Sequence, residues 1–128
     1  MTVKGLDHIN LRGSAEEIVQ LAEFYQSLLG LQVGPRPLSS SGIWLYAGKL
    51  AILHLSVIPA GQTRDYQSLN SFDHIALACE DLAGVLHTLQ NLAIPYQQRQ
   101  IAASAGFAAQ TQIFLHDPLG NKLELNFQ

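Results

Sequence analysis

A short motif occurs twice in this chain, once near its start and once near its middle. Residues 6–11 read LDHINL and residues 72–77 read FDHIAL, so His8 and His74 hold equivalent places about half of the 128-residue chain apart. In each copy polar and apolar residues alternate, which is typical of a strand. The duplication predicts two copies of one supersecondary unit, each opening with a strand, and it restricts the possible folds more than any other feature.

Composition narrows the classes of protein that the chain can be. With 48% hydrophobic and 13% charged residues, it is long enough for one globular domain with a substantial core. The net charge of −3 provides no basic surface for nucleic acid, and no 18-residue apolar span predicts a membrane segment. The single cysteine, Cys79, excludes an intramolecular disulfide and a thiolate metal cluster. We expect a cytoplasmic protein with a small-molecule partner, and with neither a nucleic-acid nor a membrane partner.

Residues 1–57 are predicted to form a first module in the order strand, helix and three strands. Ser14 and Glu17 form a capping box that starts a helix, and Gly30 is its predicted end. Gly48 lies in a tight turn between the last two strands. The predicted strands span residues 3–12, 31–33, 43–47 and 50–57.

Residues 58–71 are rich in turn-forming residues and are the predicted connector. The second module, residues 72–128, repeats the order of the first, with Asp81 as the N-cap of a helix that ends before Pro95. Its predicted strands span residues 72–79, 96–101, 110–116 and 122–127, the last two joined by the turn DPLGN at 117–121. The predicted fold class is therefore α+β, with two β-α-β-β-β modules in one domain.

The first and last strands of each module carry one ionisable group on the face opposite their apolar side chains. Side chains two residues apart share a face of a strand, so the pattern can be read directly. The four groups are His8, His54, His74 and Glu124. Any one of them could be an ordinary polar residue, but four at matching places favour a metal site. Imidazole and carboxylate donors without cysteine suit one divalent ion of Zn, Ni, Co, Mn or Fe(II), and no organic cofactor is expected.

Several motifs resemble those of the vicinal oxygen chelate superfamily, which includes glyoxalase I, bleomycin-resistance proteins and type I extradiol dioxygenases. They are DHI at 7–9, FY at 24–25 followed by LGL at 29–31, DHIA at 73–76, and DPLGN at 117–121 followed by LEL at 123–125. The resemblance implies paired modules that form an incomplete β-barrel, the glyoxalase/bleomycin resistance/dihydroxybiphenyl dioxygenase fold. It also implies a divalent metal that substrates approach through two neighbouring oxygens. By position, His8, His74 and Glu124 match the recurrent ligands.

His54 departs from this pattern, because glyoxalase I has a glutamate at the corresponding place. If only His8, His74 and Glu124 bind a six-coordinate metal, three positions stay open, as in the Fe(II) oxygenases with two histidines and one carboxylate. If His54 also binds, two positions remain, which favours isomerase, epimerase or lyase chemistry. An unligated His54 could instead transfer protons. His54 and Glu124 are the predicted catalytic residues, and these alternatives stay open at this point.

Other residues are candidates for contacts with the substrate. Trp44 and Tyr46 share a face of one strand and could form a wall of the pocket. Arg36 lies between two prolines and could bind a carboxylate or phosphate. His116 and Asn126 lie on the predicted closing strands, where they could contact the substrate or orient a ligand.

Two functions from different classes follow from these residues. The first is a mononuclear metalloenzyme that acts on a small oxygen-bearing metabolite, by isomerase or lyase chemistry or by dioxygenase chemistry. The second is a metal-free protein that binds or sequesters a small molecule, of the bleomycin-resistance type. The resemblance also implies a homodimer, in which the modules pair within one chain or between two chains.

Overall fold

The computed structural model describes residue 1, residues 4–62 and residues 74–128. The chain divides into two compact units, Met1–Ser68 and Leu69–Gln128. The predicted connector, residues 58–71, contains the boundary between them, and its residues 63–71 lie outside the described part of the chain. Neither helix in the described part has the length and apolar character needed to cross a membrane.

The first unit has the predicted order of one strand, one helix and three strands. Its capping box is present, because the Ser14 hydroxyl accepts from the backbone N–H of Glu17 and the Glu17 carboxylate accepts from the backbone N–H of Ser14. Gly30 ends the helix in the left-handed conformation that glycine adopts most readily. The elements are β1 (Ile9–Gly13), α1 (Ala15–Leu29), β2 (Gln32–Gly34), β3 (Ile43–Ala47) and β4 (Leu50–Val57).

The second unit repeats this order. Asp81 caps the helix by accepting from the backbone N–H of Gly84 at 3.0 Å. The predicted turn is also present, since the buried carboxylate of Asp117 accepts from the backbone N–H groups of Leu119 and Asn121. The elements are β5 (Ile75–Ala78), α2 (Leu82–Asn91), β6 (Gln97–Ile101), β7 (Gln110–His116) and β8 (Lys122–Phe127).

In the part of the chain that the structure describes, each unit contains one four-stranded sheet, and the two sheets have the same topology. The strand orders are β1-β4-β3-β2 and β5-β8-β7-β6. The opening strand pairs in parallel with the last strand of its unit, and the other pairs are antiparallel. A parallel pair needs a long crossover, and α1 or α2 lies within that connection. The two-module α+β fold predicted from the repeated motif is therefore confirmed.

The core of each unit lies on the predicted apolar faces. In α1 the residues at helical spacing are buried, and in β4, β7 and β8 alternate apolar residues are buried, because these positions face the same side of each element. The buried set includes Ile18, Leu21, Tyr25, Leu45, Leu53 and Leu55 in the first unit, and Ile75, Leu89, Ile113, Leu115, Leu123 and Leu125 in the second. His54 and Glu124 lie on the opposite faces of β4 and β8.

The opening strands are shorter than predicted, which moves His8 and His74 to the strand ends. The alternating pattern predicts strands over 3–12 and 72–79, with each histidine inside its strand, but β1 begins at Ile9 and β5 begins at Ile75. Residues 3, 72 and 73 of the predicted strands lie outside the described part of the chain. The prediction that His8 and His74 lie within their opening strands is thus wrong.

The partner strands explain this difference. In the first sheet the pairing of Tyr46 with Ala51 skips Ile52, which forms a bulge at the place opposite His8. In the second sheet the residue that would face His74 is Lys122, where β8 itself begins. The regular ladder therefore starts one residue after each histidine.

Candidate active site

The first unit holds His54 between two other rings, and we call His8, His54 and Trp44 the ring stack. His54 lies inside β4 and is 8% exposed. The Trp44 and His54 ring centroids are 3.6 Å apart with an interplanar angle of 5°, and the His8 and His54 centroids are 3.8 Å apart with an angle of 18°. Trp44 is the register partner of His54 on β3, so the sheet itself positions that contact.

The surroundings of His54 lower its pKa below the usual value of an imidazole. Loss of hydration is the main cause, and repulsion from His8 adds to it, while a hydrogen bond with the backbone of Ala51 and the charge of Asp7 act in the opposite direction. His54 is therefore neutral at pH 7. A neutral imidazole can accept a proton or bind a metal through its free nitrogen.

One nitrogen of His8 is already paired. Nδ1 of His8 lies 2.6 Å from Oδ2 of Asp7, and a carboxylate in this position fixes the tautomer of the ring. Nε2 is then the nitrogen suited to metal binding, an arrangement common among metal-binding histidines. The sequence repeats the Asp-His pair at 73–74, where Asp73 lies outside the described part of the chain.

The second unit joins His74, Glu124 and Gln112. Nε2 of His74 lies 3.0 Å from Oε2 of Glu124, and Nε2 of Gln112 donates to Oε1 of Glu124 at 2.7 Å. Glu124 is 8% exposed, and both of its carboxylate oxygens are engaged by these two partners. Sequence reasoning missed Gln112, because a single glutamine in a strand has no distinctive signal. Its position on the same face of β7 as His116 could have identified it.

The two units share one arrangement. In each, the opening histidine lies against an ionisable group inside the last strand, with His8 against His54 and His74 against Glu124. The same topology produces both pairs, since the opening strand lies beside the last strand in each sheet. The structure thus brings the four predicted metal ligands together as two pairs, one in each unit.

The geometry of the two pairs limits which side chains can bind the same metal ion. Among the described residues, no group of three or more His, Cys, Asp or Glu side chains is positioned to hold a metal ion. A metal binds an imidazole in the plane of the ring at about 2.0–2.1 Å. The ring planes of His8 and His54 are nearly parallel and stacked, so they share no such point. In this arrangement His8 and His54 do not both bind one ion, and the ligand set of His8, His54, His74 and Glu124 that the sequence predicts stays a prediction.

A cavity of about 880 Å³ lies over the polar face of the second sheet. Its lining includes two of the predicted ligands, His74 and Glu124, together with His116, a predicted substrate-binding residue. Sequence reasoning did not place Arg99 at the site, although it also lines the cavity. Side chains two residues apart share a face of a strand, so Arg99 and Gln97 lie on the same face of β6. This spacing is the sequence signal that could have placed Arg99 at the cavity.

Two predicted substrate-binding residues have structural contacts within their own loop and sheet. The Arg36 guanidinium donates to the backbone carbonyls of Gly42, at 2.8 Å, and of Ser40. The Tyr46 hydroxyl donates to the carbonyl of Pro35 at 2.6 Å. Arg36 and Tyr46 therefore stabilise the segment between β2 and β3, and a contact between either residue and a substrate stays a prediction.

Asn126 lies two residues after Glu124 on the same face of β8. Its Oδ1 is buried and has no hydrogen-bond partner in the described part of the chain. Buried polar atoms without a partner are uncommon in proteins. This acceptor is therefore chemically suited to the substrate contact that the sequence predicts, which also stays a prediction.

Comparison with known proteins gives matches at the level of structure. No protein-family model and no curated protein matches the chain. It is similar to a glyoxalase family protein from Bacillus anthracis, with 18% identity, a TM-score of 0.69 and coverage of 100% of this chain and 98% of that one. It is similar to lactoylglutathione lyase from Agrobacterium tumefaciens, with 16% identity, a TM-score of 0.63 and coverage of 99% and 96%. It is also similar to the fosfomycin resistance protein FosX from Listeria monocytogenes, with 16% identity, a TM-score of 0.67 and coverage of 99% and 95%.

Proposed function

Starting from a chain that has the fold of the vicinal oxygen chelate superfamily, we propose that this protein is a mononuclear divalent-metal enzyme. It acts on a small substrate chelated through two neighbouring oxygens, and its chemistry is proton transfer of the isomerase or lyase type. The observation that carries this proposal is the repeated pairing of an opening histidine with an ionisable group of the last strand.

His8, His74 and Glu124 would hold the metal. Asp7 orients the ring of His8, and Gln112 orients the carboxylate of Glu124, so each unit supplies a positioned donor. A divalent metal supplies Lewis-acid stabilisation of negative charge on the substrate oxygens when bound. These donors come from both units. The proposal therefore requires His8 to come together with His74 and Glu124, within one chain or between two copies of it.

His54 is the proton-transfer group in this proposal. Burial keeps it neutral at pH 7, and the backbone of Ala51 engages the ring by a hydrogen bond, which leaves one nitrogen to accept a proton. It would take a proton from the hydroxyl-bearing carbon next to the substrate carbonyl and return it to the carbonyl carbon, while the hydroxyl proton moves to the former carbonyl oxygen. Trp44 holds the ring in place by stacking, so little reorientation is needed during the transfer.

Metal content and hydrogen exchange together test the proposal. Protein purified without chelator is compared with His8→Ala, Glu124→Gln and His54→Phe, where phenylalanine keeps an aromatic ring in the stack. We expect stoichiometric metal in the wild type and in His54→Phe, and its loss in the other two variants. Exchange of the carbon-bound hydrogen of an α-hydroxy ketone with deuterated water, measured by NMR without oxygen, should be lost in all three variants.

Other outcomes would contradict specific parts of the proposal. Full metal retention in Glu124→Gln would remove that residue from the ligand set. Unchanged hydrogen exchange in His54→Phe would remove the proton-transfer role. Oxygen uptake with catechols, in place of hydrogen exchange, would support dioxygenase chemistry. Ligand binding by a protein that takes up no metal would support sequestration.

A further inference from the structure

The second unit concentrates its basic side chains at one place. Residues 69–128 contain only two lysine or arginine residues, Arg99 and Lys122, and both line the cavity over the second sheet. The unit as a whole is acidic, with five aspartate and glutamate residues, yet among the described residues Glu124 is the one acidic residue that lines the cavity. The described lining thus has two basic residues and one acidic residue, whereas the unit as a whole has two basic and five acidic residues.

The sheet register shows how these two residues are placed. Arg99 pairs with Gln112, and Lys122 pairs with His116, so the two basic residues lie on opposite sides of β7. Their partners on β7 are four residues apart, which corresponds to roughly 13 Å along the strand. Phe114 lies between them, and the Lys122 ammonium is 5.7 Å from its ring centroid, within the range of a cation–π contact. Phe114 is thus the aromatic lining residue that lies between the two basic positions.

Arg99 has a neutral environment along its strand. It lies on the edge strand β6 between Gln98 and Gln100, and its cross-strand neighbour is Gln112. The two carboxylate oxygens of Glu124, the acidic residue of this lining, are paired with the Gln112 amide and with His74. An arginine fork at this place matches the geometry of a carboxylate or phosphate group.

We propose that this cavity binds a small anion, with Arg99 as the main contact for a carboxylate or phosphate group and Lys122 adding long-range attraction. The orientation of the substrate rests on the proposed function: its chelating oxygens lie toward His74 and Glu124, and its anionic group lies toward Arg99. The inference narrows the substrate class to small oxygen-rich anions with an acidic group apart from the chelating oxygens.

Three ligands of similar size test the anion site in the presence of chelator, so that no metal takes part. Benzoate carries a carboxylate, phenyl phosphate carries a phosphate, and benzyl alcohol is neutral. Calorimetry with the full chain should show binding of at least one anion about tenfold tighter than that of benzyl alcohol, and Arg99→Gln should weaken it by about the same factor. Glutamine suits this position, because β6 already contains three glutamines.

Lys49→Gln is the matched control, since Lys49 is exposed in the turn between β3 and β4 and its loss changes the net charge equally. Its affinity for the anions should equal that of the wild type. Equal affinity for benzyl alcohol and the anions, no binding of either anion, or unchanged anion binding in Arg99→Gln would overturn the inference. Anion binding that depends on Arg99 in a protein that takes up no metal would sustain the inference and reject the proposed enzyme. The preferred anion distinguishes a carboxylate from a phosphate substrate.

Discussion

Replacing Gln112 with methionine should weaken metal binding while leaving all three proposed ligands in place. Methionine has nearly the shape of glutamine but cannot donate the 2.7 Å hydrogen bond to Oε1 of Glu124. A hydrogen bond to a charged group is worth about 1.5–3 kcal/mol, and Glu124 is 8% exposed, so water replaces the lost donor poorly. Because about 1.4 kcal/mol corresponds to a tenfold change, we expect metal affinity to fall by about 10- to 100-fold.

Titration of chelator-stripped protein with Co²⁺, followed by absorbance and by calorimetry, measures this loss. Gln100→Met is the matched control, since Gln100 lies on the neighbouring strand and its side chain is bonded to the exposed Thr111 hydroxyl, away from Glu124. Its affinity should stay within about twofold of the wild type, since it removes no partner of a proposed ligand. Wild-type affinity in Gln112→Met, together with loss of binding in Glu124→Gln, would refute the role of Gln112.

Three further predictions concern stability. Ser14→Ala removes one half of the capping box and should lower the free energy of unfolding by about 1 kcal/mol in urea denaturation, with no change in the m-value. Gly42→Ala should destabilise the protein far more than Gly48→Ala. Both glycines have positive φ, but an added Cβ at Gly42 would overlap the Leu55 carbonyl oxygen, whereas at Gly48 it would meet no atom within 4 Å. Equal losses in urea denaturation would contradict this account. Folding lowers the pKa of His54, so its contribution to stability is complete above the unfolded pKa of about 6.5 and is lost as pH falls through the folded pKa. The free energy of unfolding of metal-free protein, measured in urea, should therefore fall between pH 7.5 and pH 5. The fall should be smaller in His54→Phe than in the wild type.

Much of the fold could be predicted because its signals are local. The capping box at Ser14, the end of α1 at Gly30, and the turn held by Asp117 each depend on a few neighbouring residues. The apolar faces could also be predicted, since burial follows the period of a helix or strand. The repeated motif then joined these elements into two modules with the same order, which the structure confirms.

The candidate site could be predicted only as a set of residues. Sequence pattern placed His54 and Glu124 on polar strand faces, which the structure also shows. It did not predict that His54 would lie between two rings, nor that Gln112 would hold the carboxylate of Glu124. Trp44 was predicted as a wall of the pocket, and its place against His54 follows from the pairing of β3 with β4.

The sequence by itself determined the α+β class, the two modules, the helix ends and the identity of the candidate donors. These properties depend on residue type, spacing and the preferences of nearby backbone groups. Only the tertiary structure decided where β1 and β5 begin, which rings stack and which side of the second sheet carries the cavity. Those features depend on strand register and on a bulge at Ile52, and register is a relation between distant segments that no single segment encodes.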